Sequence, residues 1–218
     1  MIILGCADIH GRTVAVDPMA EVLQSADVVV LVGDVTNFGR QAEAMAVVDA
    51  FEHHGARVLA VPGNCDFPEV GQVFSSRGIN IHGDCRVVNG VGFVGLGGSL
   101  VTPFGTPGEY SEAELEGVLN QAAARLPEGL PFVLVSHQPP IHTLCDRLSN
   151  GTHVGSHAVR RFIETRRPLA CFTGHIHEAC GMDTIGDTSI VNPGLFANGR
   201  YAHGTVSGQG VELTIRMV

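Results

Sequence analysis

A layered α/β fold is what this sequence predicts, and three observations carry the prediction. In the first half, short β-branched apolar runs alternate with stretches of helical spacing. The middle and the C-terminal part carry denser strand signals. Most apolar runs stop at a glycine or a polar residue, the pattern of strands that deliver side chains to one end of a sheet.

Residues 2–6 form the first strand, 16–24 a short helix, and 27–32 a second strand ending at Gly33. Residues 40–54 have helical spacing, with Met45, Val48 and Phe51 on one face. Residues 57–61 form a third strand, closed by Pro62 and Gly63. This βαβαβ order implies a sheet buried on both faces. Residues 79–81, 86–89 and 92–96 read as short strands, and 97–109 as a long Gly/Pro/Thr loop of a length that often marks function. Ser111-Glu112-Ala113-Glu114 is a capping box opening a helix to Arg125. Residues 131–135 form a strand ending at Ser136-His137, followed by a second long loop, 138–155. Ser156 caps a helix to Arg166, and 169–173 form a strand ending at Gly174-His175. Strands and turns alternate from there to the end. With no linker, low-complexity tract or short-period repeat, residues 1–218 read as a single domain.

Composition narrows the function classes. The net charge is −9, the opposite of what a groove for nucleic-acid backbone needs. All 13 basic residues are Arg, which excludes a P-loop lysine and a Schiff-base lysine. The start, MIILGCADIHG, has no basic segment, and Asp8 interrupts its apolar run, so it reads as a buried strand and not a signal peptide. No apolar stretch suffices to span a bilayer. The six cysteines are scattered, with no CxxC pair, and are expected to be reduced thiols in a cytoplasmic protein. Gly90-Val91-Gly92-Phe93-Val94-Gly95 fits G-x-G-x-x-G literally. It lies in a β run and not between a strand and a helix, so a dinucleotide site is rejected.

Polar residues gather where strands end. Asp8 and His10 follow the first strand, Asp34 the second and Asn64 the third, while His137 follows residues 131–135 and His175 and His177 follow 169–173. Strand carboxyl ends are where open α/β sheets place their ligands. Carboxylate, amide and imidazole are the N/O ligands of divalent transition metals. Seven such groups exceed the needs of one catalytic ion with open positions; they suit two ions sharing a carboxylate, about 3.5–4 Å apart. Taken singly, Asp8, His10, His175 and His177 are equally compatible with turn or capping chemistry, Asp34 with a turn and Asn64 with a helix cap, while Ser136-His137 suggests a hydrolase triad but lacks a G-x-S-x-G elbow.

Asp8-Ile9-His10, Gly33-Asp34, Gly63-Asn64, His137 and Gly174-His175-Ile176-His177 resemble the five ordered blocks of the calcineurin-like metallophosphoesterases. Asn192-Pro193-Gly194 is similar to a turn that follows in small prokaryotic members. The resemblance implies a four-layer αββα sandwich, with two mixed β-sheets flanked by helices. It implies one metal on Asp8, His10 and His177, a second on Asn64, His137 and His175, and Asp34 bridging them. Asp34, Asn64 and His175 are the expected catalytic residues. The two divalent ions are expected to be Mn²⁺, with Fe²⁺, Ni²⁺ and Zn²⁺ tolerated by the same ligands. Gly63-Asn64-Cys65-Asp66 stands where many members read Gly-Asn-His, and Asn37 where many have a second Asp that supports that His. The two departures go together and resemble a GNCD subgroup of small phosphodiesterases.

The implied activity is hydrolysis of a small phosphate ester, preferably a diester, by in-line attack of a hydroxide bridging the two metals. Substrates with good leaving groups, or with two esterified oxygens, are expected to react fastest. Arg12, Cys65, His142 and His157 are the expected substrate contacts. The alternatives are solvation for Arg12 and the histidines, as for Arg147 and His153, and burial for Cys65. The competing function is a non-catalytic protein-binding scaffold of the same fold, like the retromer subunit; seven intact ligands favour the enzyme. A nuclease is disfavoured by charge. Nothing in the sequence specifies an oligomeric state.

Overall fold

The computed structural model describes residues 1–207 and 210–218. The first part of the chain alternates β1 (Ile2–Cys6), α1 (Ala20–Ser25), β2 (Val28–Val32), α2 (Gln41–His53), β3 (Val58–Val61) and α3 (Pro68–Ser76). The middle adds β4 (Cys85–Val88), β5 (Val91–Leu96), β6 (Ser99–Leu100), β7 (Glu109–Tyr110), α4 (Glu112–Ala123), β8 (Phe132–Ser136), α5 (His157–Arg166) and β9 (Ala170–Thr173). The chain closes with β10 (Gly181–Ile185), β11 (Thr188–Asn192), β12 (Arg200–Ser207) and β13 (Gly210–Met217).

Two mixed sheets result. One has the order β13-β12-β1-β2-β3, the other β10-β11-β9-β8-β5-β4, and β6 pairs with β7 separately. β1, β2 and β3 run parallel, as do β5, β8, β9 and β11. The side-chain alternation of the strands explains the layering. In β2, Val28, Val30 and Val32 point into the cluster between the two sheets, while Val29 and Leu31 point toward the cluster that holds Leu23, Val47, Phe51 and Phe74 of α1, α2 and α3. In β8, Val133 and Val135 join the inter-sheet cluster, and Phe132 and Leu134 pack with Leu119 and Ile163 of α4 and α5. The expected order of helix, sheet, sheet and helix layers is therefore present. Parallel neighbours in each sheet bring the carboxyl ends of β1, β2 and β3, and of β8 and β9, to one edge of the sandwich.

Some local expectations need correction. Met45 is exposed; the buried stripe of α2 is Ala44, Val47, Val48 and Phe51, the i, i+3, i+4, i+7 set one residue out of step with it. Residues 79–81 make only an isolated bridge, Ala60 to Asn80. Helix α3 precedes them, unexpected from the sequence although Pro68 at its start and buried Val70, Val73 and Phe74 are helix signals. Residues 17–19 form a 3-10 turn ahead of the shorter α1. The Ser111 capping box forms as expected, and Ser156 Oγ accepts from Val159 N at 3.2 Å. All six cysteines are free. Among the described residues, no helix is long and apolar enough to cross a membrane.

Candidate metal centre

Four of the seven expected ligands, Asp8, His10, Asp34 and His175, have positive φ between 47° and 67°. Such backbone is costly for a side-chain-bearing residue and persists only where its surroundings enforce it. Here the turns enforce one another. Asp8 N donates to Gly33 O at 3.2 Å, His10 N to Asp34 O at 2.9 Å and Gly11 N to Val35 O at 2.9 Å, so the turns after β1 and β2 run side by side. His175 N donates to both carboxylate oxygens of Asp8, at 3.2 and 3.1 Å, which ties the turn after β9 to the turn after β1.

All seven side chains converge. One ligand atom each from Asp8, His10, Asp34 and His177 lie within 4.8 Å of one another, a group able to hold a metal ion. In it, His10 Nε2 faces His177 Nε2 at 3.3 Å and lies 3.9 Å from Asp34 Oδ2, and His177 Nε2 is 3.5 Å from Asp8 Oδ1. On the other side of Asp34, His137 Nε2 is 3.5 Å from Asp34 Oδ1 and 3.0 Å from Asn64 Oδ1, and the His175 ring is 5.2 Å from the His137 ring. The two oxygens of Asp34 thus face different histidines, Oδ2 toward His10 and Oδ1 toward His137.

The donor chemistry fits cations. His137 Nδ1 donates to the carbonyl of Val32 at 2.8 Å, and Nε2 faces two oxygen acceptors; stripped of its own proton, Nε2 would turn a lone pair toward them. Lone pairs facing oxygens need a proton or a cation between them. His10 Nδ1 is buried and finds no hydrogen-bond partner among the described residues. The electrostatics agree. Burial would raise the Asp34 carboxyl, yet the His137 charge, its hydrogen bond and the Cys65 N–H, at 2.8 Å, hold it well below the usual range. Burial would lower His137, yet Asp34 raises it to about 9. Burial and the His137 charge hold His175 down at about 4, neutral and able to act as a ligand.

The remaining expected contacts are split by the structure. Cys65 lines the cleft, of about 670 Å³, that opens over His10, Asp34, Asn64, His175 and His177. Arg12 is exposed and is not among the residues lining that cleft. His142 and His157 are exposed as well, in a cluster where the His142 ring lies 5.2 Å from His153 and 6.1 Å from His157, outside the lining. The cause is Asp146, whose carboxylate gathers Thr143 N, Gly155 N and His153 Nδ1 around itself and holds the loop in that fold.

Three organising residues escaped the sequence reading. Asp66 accepts from Val35 N, Thr36 N and Gly63 N, joining the turns that carry Asp34 and Asn64. Asn192 Nδ2 donates to Ile176 O at 3.0 Å and Gly174 O at 3.4 Å, bracing the turn of His175 and His177. Gln138 joins the two long loops, accepting from Leu100 N and donating to Val154 O. Asp66 and Asn192 each sit inside a motif already singled out, GNCD and Asn-Pro-Gly; Gln138 had no signal beyond following His137.

The calcineurin-like phosphoesterase family matches residues 1–179 of the chain. An uncharacterized protein of Methanocaldococcus jannaschii is 39% identical over 197 residues, covering 88% of each chain. Among solved structures, a Thermus thermophilus protein aligns with a TM-score of 0.76 at 20% identity, covering 98% of this chain and 97% of the other. A dimetal phosphatase of Danio rerio aligns with a TM-score of 0.64 at 14% identity, covering 100% and 98%. The match over most of the length, together with the close archaeal relative, means that the chain belongs to the calcineurin-like phosphoesterase family.

Proposed function

We propose that the protein hydrolyses small phosphodiesters with two divalent metal ions, Mn²⁺ first among them, and that residues 1–218 act as one metallophosphoesterase domain in the cytoplasm. The observation that carries this reading is Asp34, whose two oxygens face different histidines, Oδ2 toward His10 and Oδ1 toward His137. The Danio rerio neighbour is described as a dimetal phosphatase, and the two-ion reading extends that description to this chain.

In this reading, Asp8, His10 and His177 hold one ion, Asn64, His137 and His175 the other, and Asp34 both. Two divalent ions bound there would supply an activated water as nucleophile for in-line attack on phosphorus, and positive charge to offset the charge growing on the phosphoryl oxygens. The protein fixes the geometry. Asn64 Nδ2 donates to Thr106 Oγ1 at 3.0 Å, which leaves Oδ1 directed at the centre. His175, kept neutral, offers its lone pair. Cys65 stands where many members have a histidine, and burial beside Asp34 keeps its thiol protonated far above the usual thiol range. It is a poor proton donor, so esters with good leaving groups react fastest. The net charge of −9 and the lack of Lys favour a small substrate over nucleic acid.

The test is hydrolysis of bis(p-nitrophenyl) phosphate and p-nitrophenyl phosphate by metal-stripped protein, with and without added Mn²⁺. Asp34→Ala and His175→Ala are expected to reduce kcat at least a thousandfold, about 4 kcal/mol of barrier, and the diester is expected to be the faster substrate. Two ions bound per chain with no turnover of either ester would favour the non-catalytic scaffold.

A further inference from the structure

The cleft over the metal ligands continues onto a wall of Phe38, Leu100, Val101, Pro103, Phe104 and Ile176. Three of these hold large apolar surface in water: Phe38 is 51% exposed, Val101 74% and Phe104 85%. Apolar patches of this kind, at the mouth of a polar site, mark ligand grooves.

The wall is built in place. Most of it lies on the loop between β5 and α4, and that loop is tied to the turn of a metal ligand. Asn64 Nδ2 donates to Thr106 Oγ1 at 3.0 Å, Gly108 N to Asn64 O at 2.9 Å and Gly98 N to Pro62 O at 2.9 Å. Inside the loop, Glu109 accepts from Thr102 Oγ1 at 2.6 Å and Thr106 N at 2.7 Å. Leu100 N is held by Gln138.

Charge decides what the wall can accept. Among the described residues lining the cleft there is no Arg, and the chain has no Lys. Beyond the metal ligands, the charged side chain there is Glu178. A second phosphate on the substrate would meet no cation apart from the metals and would face a carboxylate. The cavity of about 670 Å³ is well beyond what one phosphate needs, and lies within the roughly 300–1,000 Å³ of sites for whole organic ligands.

We infer that the preferred substrates are phosphoesters of apolar alcohols, alkyl or aryl, with the phosphoryl group at Asp34 and the alcohol against the wall of Phe38, Val101 and Phe104. This rests on the phosphoesterase reading above.

The test uses methyl-, butyl- and octylphosphonate as inhibitors of bis(p-nitrophenyl) phosphate hydrolysis by the Mn²⁺-loaded protein, with calorimetry of the same compounds. Inhibition constants are expected to fall about threefold to fourfold per methylene that reaches the wall. Octylphosphonate binding is expected to carry a negative heat-capacity change. Phe104→Ser and Val101→Ser, both on exposed loop positions, are expected to reduce the octyl-to-methyl ratio about tenfold. Equal inhibition across the series would overturn the inference and leave the phosphoesterase reading standing, as would thymidine monophosphate binding more tightly than octylphosphonate. No turnover of any ester with any metal would overturn the phosphoesterase reading and the substrate class together, even if calorimetry showed octylphosphonate bound.

Discussion

One oxygen of Asp66 accepts twice from Thr36, from its backbone N–H at 2.8 Å and from its hydroxyl at 2.7 Å. The other oxygen accepts from Val35 N at 3.0 Å and Gly63 N at 2.8 Å. One buried carboxylate therefore sets the spacing between the turn of Asp34 and the turn of Asn64. Burial and the Asp34 charge push its carboxyl up, and the hydrogen bonds from Gly63 and Thr36 oppose them. Asp66→Asn would turn an amide N–H against donors that now have an acceptor. We expect a loss of about 2–3 kcal/mol in urea unfolding and fewer than two metal ions per chain by elemental analysis. Full metal content at wild-type stability would show that Asp66 does not position the turns.

Gly63 and Gly33 make a second constraint of the same kind. A Cβ at Gly63 would overlap the carboxylate and backbone nitrogen of Asp34, and one at Gly33, whose φ is +80°, would enter the His137 ring. Neither neighbour can yield without moving a side chain proposed to hold metal. Gly63→Ala is expected to lower kcat/KM at least a hundredfold, the scale of a misplaced reacting group. Gly71→Ala and Gly117→Ala supply the contrast. Both lie inside helices, α3 and α4, with open space where the Cβ would go. Each is expected to stabilise the fold by about 0.5–1 kcal/mol, read as a higher urea midpoint.

The convergence of these side chains was legible because each depends on a local pattern, an apolar run that stops at a polar residue. Asp8, Asp34, Asn64, His137 and His175 all follow strands, and parallel pairing gathers the ends of β1, β2 and β3 in one sheet and of β8 and β9 in the other. What was not legible depends on contacts between distant residues. Asp66 meets Thr36 across 30 positions, so the GNCD motif marks the residue but not the partner it holds. His142 and Arg12 lie near motifs in the chain, but chain proximity does not give direction, and neither lines the cleft. Phe38 and Phe104 read as ordinary loop residues until the turns on either side of Asn64 set them beside the same cleft. The return of β12 and β13 to the first sheet is likewise a long-range pairing that strand signals alone do not assign.

Metal removal should be visible without any substrate. Buried lone pairs and carboxylates that face one another, as at His137, Asn64 and Asp34, are held better with a cation among them. A ligand that binds the folded state alone stabilises it by about 2.7 kcal/mol at a hundred times its Kd. Dialysis against a chelator is expected to lower Tm by several degrees and added Mn²⁺ to restore it, with no restoration in Asp34→Ala. An unchanged Tm after verified metal loss would contradict a metal held by these residues.

Asp146 offers a test that leaves the metal centre alone. Its fully buried carboxylate accepts from Thr143 N at 2.8 Å, Gly155 N at 2.9 Å, His142 N at 3.2 Å and His153 Nδ1 at 2.7 Å. Burial would raise its pKa, but the hydrogen bonds from His153, Thr143 and Gly155 hold it below the ordinary 3.8. A carboxyl depressed in the folded state contributes stability at pH above 3.8, and that contribution drains away as pH falls through the lower folded value. Asp146→Asn should therefore cost about 2–3 kcal/mol at pH 7, and the gap from wild type should narrow in urea unfolding carried out below pH 3.8. A gap that stays constant down the acid limb would assign the cost to loop geometry instead of charge. The same substitution bears on the cleft, because Val154, one residue before Gly155, lines it and is held by Gln138. A rise in KM for bulky esters, with kcat nearly unchanged, is the expected kinetic sign that the loop around Asp146 shapes the binding wall and not the reacting centre.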